Sequence, residues 1–211
     1  MDMRGLRYLT AAVAITGLLT GSAVTAASAA TSQGAAARAT AGVHLRGGTT
    51  AVTTAPGVAS ALLQNGIVPR AIWPGSEQVL PGRNGPAVRF AFPVTGGLVS
   101  LSPLGGNVYH RGGILFRNTK NGKTIEVSRF TIDLTHGDLT GIVNGNPAAR
   151  VPLFRLGLSH ARLAVGRHLV TARGIVLTLT SVAAKALNAA LGTKLFTAGL
   201  ELGTARTVLR F

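Results

Sequence analysis

The sequence contains no cysteine. That excludes disulfides, thiolate metal sites and thiol nucleophiles, so the fold has to rest on an apolar core. Acidic residues are also scarce: 6 Asp and Glu stand against 21 Lys and Arg, a formal net charge of +15. After Asp2 the acids are Glu77, Glu126, Asp133, Asp138 and Glu201, and no spacing pairs two of them as a general acid and base. There is no GxSxG, no HExxH, no Walker loop and no GxGxxG following a strand. The five histidines, at 44, 110, 136, 160 and 168, never take the i, i+2 or i, i+4 spacing of a metal site. The sequence therefore supports a protein that is not an enzyme.

Long apolar runs are missing too, with one exception. Residues 1–29 read as a secretory signal peptide: Arg4 and Arg7 precede the apolar stretch Leu9–Leu19, and Ala27-Ser28-Ala29 supplies a small-residue cleavage site. The apolar stretch is shorter than the roughly 20 residues of a spanning helix. No second one follows, so no transmembrane segment is expected after cleavage. Residues 30–50, rich in Ala, Gly, Thr and Ser, read as a flexible lead-in. That leaves 51–211 as a single domain, long enough to bury about two-thirds of its unfolded surface. The expected address is outside the cell, secreted or loosely associated with the envelope.

What is present in quantity is glycine, 28 residues, and period-two alternation. Asn121-Gly122 and His136-Gly137-Asp138 separate three expected strands between Asn107 and Asn144. Val108, His110, Ile114 and Phe116 share one face of the first, and Ile125 and Val127 one face of the second. The phase slips before Phe130, Ile132 and Leu134, which requires a bulge near Ser128-Arg129. A second slip, between Leu153 and Phe154, requires another. Further strands are expected at Val88–Phe92, stopping at Pro93, at Leu98–Ser102, Ala161–Val165, Leu169–Thr180 and Gly203–Phe211. Ile67–Gly85, with three prolines, reads as irregular. Two short helices are expected: Pro56–Gln64 capped by Thr54, and Ser181–Leu191 capped by Ser181, with Val182, Ala186, Leu187 and Ala190 inward. The fold class is mostly β, an antiparallel β-sandwich or flattened barrel with two short helices.

Three residues are candidates for ligand binding. His110 falls on an apolar face, where a histidine either contacts metal, haem or another ligand or, more commonly, bonds a backbone carbonyl. Tyr109 is its neighbour, so on a regular strand the two side chains point to opposite faces. Trp73, in a proline-rich stretch, is either a binding platform or, more commonly, a plug for the core. A second candidate surface is basic. Arg89, Arg111, Arg117, Arg129, Arg155 and Arg162 take the outward phase of their strands, and strands sharing one sheet would give a face for an anionic envelope polymer. Aromatics other than Tyr109 do not interleave with these arginines, which disfavours specific nucleic-acid binding.

The segments GNVYHRGGILF, VSRFTIDLTHGDLTGIVNG, RVPLFRLGLS and VLTLTSVAAKALNAALGTKLFTAGLELGTA resemble the HtaA-type domains of actinobacterial secreted and surface proteins. The resemblance spans about Gly96 to Ala205 and rests on folding features. It implies a β-sandwich module that captures haem outside the cell, with the iron held by a tyrosine that a histidine supports. His110 best matches the histidine region. The stretch comparable to the tyrosine-bearing segment, Thr54 to Trp73, contains no tyrosine.

Overall fold

The computed structural model describes residues 42–82 and 85–211. The expected signal peptide and most of the lead-in lie outside the described residues. The chain runs β1 (Val43–His44), β2 (Gly47–Thr54), α1 (Val58–Gln64), β3 (Ile67–Ile72), β4 (Ser76–Leu80), β5 (Ala87–Leu101), β6 (Leu104–His110) and β7 (Gly113–Asn118). It continues through β8 (Thr124–Asp133), β9 (Asp138–Val143), β10 (Asn146–Gly157), β11 (Arg162–Val165), β12 (Leu169–Leu179), α2 (Ser181–Leu191) and β13 (Glu201–Arg210). All pairings are antiparallel. In the order β5, β2, β13, β12, β10, β9, β8, β6 and back to β5, eight strands close a barrel, and the other strands decorate its edges. Closure leaves no free edge over that part of the sheet.

The ring is sealed unevenly. The long β5 pairs with β4 through Ala87–Ala91 and with β6 from Val94 onward. Likewise β8 pairs first with β7 and then, through Thr131–Asp133, with β6. So β6 bridges β5 and β8 over one half of the barrel. Over the other half the wall continues as β4 on one side and β7–β3 on the other, with no ladder between β3 and β4.

Inward residues follow the period-two rhythm. Phe90, Phe92, Val108, Val127, Phe130, Ile132, Leu139 and Leu153 are buried in one cluster with Leu187 and Leu191 of α2. Phe92 and Phe130 meet edge to face at 4.9 Å. Both expected bulges are present. Register shifts occur between Ser128 and Thr131, where Arg129 has φ 50°, and between Pro152 and Phe154. Arg150 bridges the first bulge from outside, donating to the Arg129 carbonyl and the Thr131 and Thr140 hydroxyls.

Several expectations are corrected. Within 43–50, Val43–His44 is β1, paired with β5, and the residues from Gly47 onward are β2, held between β13 and β5. Ile67–Gly85 contains β3 and β4. Pro93 does not end its strand. It pairs with Thr49 of β2, and on its other side, between the β4 and β6 ladders, its carbonyl accepts the Arg111 N–H. The stretch 107–118 is two strands, broken at Arg111-Gly112, where Gly112 (φ 86°) lies against the backbone of Gly75. Helix α1 begins after Gly57 without a side-chain cap, because the Thr54 hydroxyl accepts Val88 N–H instead.

Thr180, not Ser181, caps α2: its hydroxyl accepts Ala183 N–H at 3.1 Å. The buried face of α2 is Ala183, Ala184, Leu187 and Leu191, and Val182 is exposed. The helix therefore sits about a quarter-turn away from its expected orientation, with Ala183, Ala184, Leu187 and Leu191 packed into the barrel cluster. Thr180→Ala is expected to lower stability by about 1 kcal/mol, read from chemical denaturation, whereas Ser181→Ala should change little.

Candidate functional site

The barrel interior is not filled. A cavity of about 270 Å³ lies between the sheet and the helices. Its wall is almost wholly apolar: Phe90, Phe92, Ile114, Phe116, Leu177 and Leu187 are among its lining residues. It reaches the surface beside α1, β3 and β4, at Leu63, Arg70 and Val79. There Arg70 meets Glu77 at 2.6 Å, and the second Glu77 oxygen accepts Ala71 N–H, so this one carboxylate spans the unladdered gap between β4 and β3. A second cavity of about 200 Å³ occupies the other half of the barrel, and the two share Thr50, Leu139 and Leu177 as lining residues.

His110 stands at the floor of the larger cavity and is only 5% exposed. Its Nδ1 lies 3.2 Å from the Phe130 carbonyl and its Nε2 2.7 Å from Thr50 Oγ1. Thr50 Oγ1 is in turn 3.0 Å from Thr207 Oγ1. A carbonyl only accepts, so Nδ1 carries the proton. Burial lowers the pKa of His110 from 6.5 to about 4, with bonds to the Phe130 and Val108 backbone opposing the shift, so the ring is neutral near pH 7. Nε2 therefore accepts from Thr50, and Thr50 accepts from Thr207. A relay of three strands and a carbonyl crosses the middle of the barrel with every member satisfied.

The other candidates are elsewhere. Tyr109 points outward and is 48% exposed. Trp73 occupies the β3–β4 turn and is 88% exposed, so it is not a plug. Tyr109 and His110 thus sit on opposite faces of β6. The only lone pair His110 could give to an iron is taken by the Thr50 hydroxyl. These residues do not fit a haem held by a tyrosine and a supporting histidine.

The six candidate arginines are all exposed but do not form one face. Closure of the sheet distributes Arg89 on β5, Arg117 on β7, Arg129 on β8, Arg155 on β10 and Arg162 on β11 around the barrel, and Arg111 lies in the β6–β7 link. Arg155 is paired with Asp138 at 2.9 Å.

Sequence reasoning missed Thr50 and Thr207, whose alternation marks them as inward but whose partnership depends on long-range register. It also missed Asn118 and Asn121, which both donate to the Leu191 carbonyl and tie the β7–β8 turn to the end of α2. Among the described residues no helix is long and apolar enough to cross a membrane.

No sequence family matches the chain, and no curated protein matches it either. Solved structures do. The C-terminal domain of HtaA from Corynebacterium glutamicum superposes with a TM-score of 0.53 at 14% identity, over 81% of this chain and 99% of that one. A histidine-to-alanine variant of the same domain, crystallised as a domain-swapped dimer, gives 0.45 at 14% identity, over 93% and 99%. The chain has the fold of the HtaA C-terminal domain.

Proposed function

We propose that this chain is a non-enzymatic binding module, exported from the cell, that holds a small apolar molecule in the cavity beside His110. The observation that carries the reading is that cavity: about 270 Å³, walled by aromatic and aliphatic side chains, and open to the surface beside α1. An apolar cavity of about 150 Å³ already stays dry and takes up benzene. This one suits a hydrocarbon such as a short acyl chain or a small terpenoid, near the lower end of ordinary ligand pockets of about 300–1,000 Å³. The His110–Thr50–Thr207 relay is internally satisfied, so it offers the ligand a neutral floor without a demand for a polar head group. The carboxylates favour binding over catalysis as well: Glu77, Asp133 and Asp138 are each engaged with a basic side chain. Export rests on the basic start and apolar run of residues 1–29.

Titration with the fluorescent apolar probe N-phenyl-1-naphthylamine tests this. Saturable one-to-one binding is expected, with competition by decane-saturated buffer. Ala59 is buried and lines the cavity. Ala59→Phe should fill the space and weaken probe binding at least about tenfold, a loss of about 1.4 kcal/mol. Val88→Phe, at another point of the wall, gives the same readout if Ala59→Phe does not fold. Unsaturable binding, or unchanged affinity in a folded filled variant, would end the proposal.

A further inference from the structure

Three neighbouring strands carry arginines in register. Arg162 on β11 lies opposite Arg173 on β12, and Arg173 lies opposite Arg206 on β13. Directly opposed residues of antiparallel strands project from the same face. All three are exposed, while Ile175, Ala205 and Thr207 beside them point inward. With strands about 4.8 Å apart, the three guanidinium stems stand in a line about 10 Å long.

Like charges directly opposite each other destabilise a sheet. Among the described residues no acidic side chain pairs with this row. The ion pairs among the described residues are Arg70–Glu77, His136–Asp133 and Arg155–Asp138, and none involves these arginines. The acid on β13, Glu201, lies at the other end of the strand, five positions from Arg206. The line continues into Ala51 of β2 and Ala91 of β5, whose methyl groups leave it uncovered. Outward positions one pair further along are Ala164, Thr171 and Val208, also small. Barrel closure does not need the arginines, since they face away from the core.

We propose that the Arg162–Arg173–Arg206 row binds a flexible phosphate polymer, its chain laid across the strands so that successive phosphates meet successive guanidinium groups. The fork of an arginine holds a phosphate by two parallel hydrogen bonds, and three in line exceed the reach of one phosphate. Stacked nucleic-acid bases lack a platform, because no aromatic side chain stands among the outward neighbours. Leu163 and Val165 of β11 are exposed but take the opposite phase from Arg162, so the outward neighbours of the row offer a lipid surface no large apolar side chain to insert. The row lies on the outside of the barrel and does not depend on what the cavity holds.

The test uses the full chain and labelled long-chain inorganic polyphosphate over a salt series. Arg162→Gln, Arg173→Gln and Arg206→Gln combined should weaken binding by about thirtyfold at low salt and reduce the log–log salt slope by about 2. A control with the same charge change elsewhere, Arg111→Gln, Arg117→Gln and Lys194→Gln, should weaken it less than about threefold. The row variant should also melt no lower than the wild type, because repulsion has been removed. Should the triple variant fail to fold, Arg173→Gln alone is expected to give about a third of the change in slope. Equal losses in row and control variants would reduce the effect to net charge and overturn the proposal. So would row-dependent binding that is tighter for duplex DNA or for phosphatidylglycerol vesicles than for polyphosphate.

Discussion

At pH 4 the protein is expected to be about 3 kcal/mol less stable than at pH 7, and His110→Gln to remove most of that difference. The pKa of His110 is lowered from 6.5 to about 4 in the fold. The unfolded chain therefore takes up a proton as pH falls below about 6.5 while the folded chain does not, and the unfolded state gains. The loss grows down to about pH 4 and levels off below it, where the folded form also protonates. Ionising the ring in place would add a donor at Nε2 facing a threonine that already donates to it, so Thr50 and Thr207 would have to turn. Asp133 acts at lower pH. Its pKa is depressed chiefly by the hydrogen bond from His136, so its contribution is present above the ordinary carboxylate range and lost as pH falls through the lowered value. That pair is largely exposed and contributes little. Urea unfolding at half-unit pH steps would show the window. A slope between pH 6.5 and 4 that persists in His110→Gln would assign the proton to another group.

Gly97→Ala should cost more than about 3 kcal/mol and leave little soluble monomer. Gly97 has φ 142° and faces Val108 across the β5–β6 ladder. A Cβ there would fall onto the Asn107 carbonyl oxygen, which is backbone and cannot step aside. The ladder it would force apart is the one that turns the sheet into a ring. Gly122→Ala makes the matching control: φ is 75°, but nothing lies within 4 Å of the added carbon. Its cost should stay near the 1–2 kcal/mol of a left-handed residue alone. Similar losses in both variants, measured by thermal melting, would show that backbone conformation rather than the close approach sets the cost.

Local rhythm carried much of this fold. Alternation located the inward faces of β5, β8 and β12, and the two slips in phase located both bulges, because a side chain's direction is fixed by its neighbours in sequence. His110 was legible as inward for the same reason. Its partner Thr50 is 60 residues away and Thr207 is 157 residues beyond Thr50, so the relay depends on which strands become neighbours. Thr50 was further obscured by the Ala, Gly and Thr composition that reads as a lead-in, although β13 and β5 supply that segment with partners on both sides. Trp73 misled for the opposite reason: residue type suggested burial, and turn geometry prevailed. The arginine row was invisible because outward phase says nothing about which strand stands alongside. Arg162 was singled out without Arg173 and Arg206, the two residues that give it meaning.

The half-sealed wall bears on how a guest molecule would enter. Between β3 and β4 the barrel is held by a carboxylate and a turn, not by a ladder, while the opposite half is stitched by backbone bonds throughout. If the cavity takes up a guest as proposed, this side is where the fewest backbone bonds stand in its way. Because β3 stays laddered to β7 and β4 to β5, parting the two strands there would cost the Glu77 contacts to Arg70 and Ala71 and no rung of a ladder.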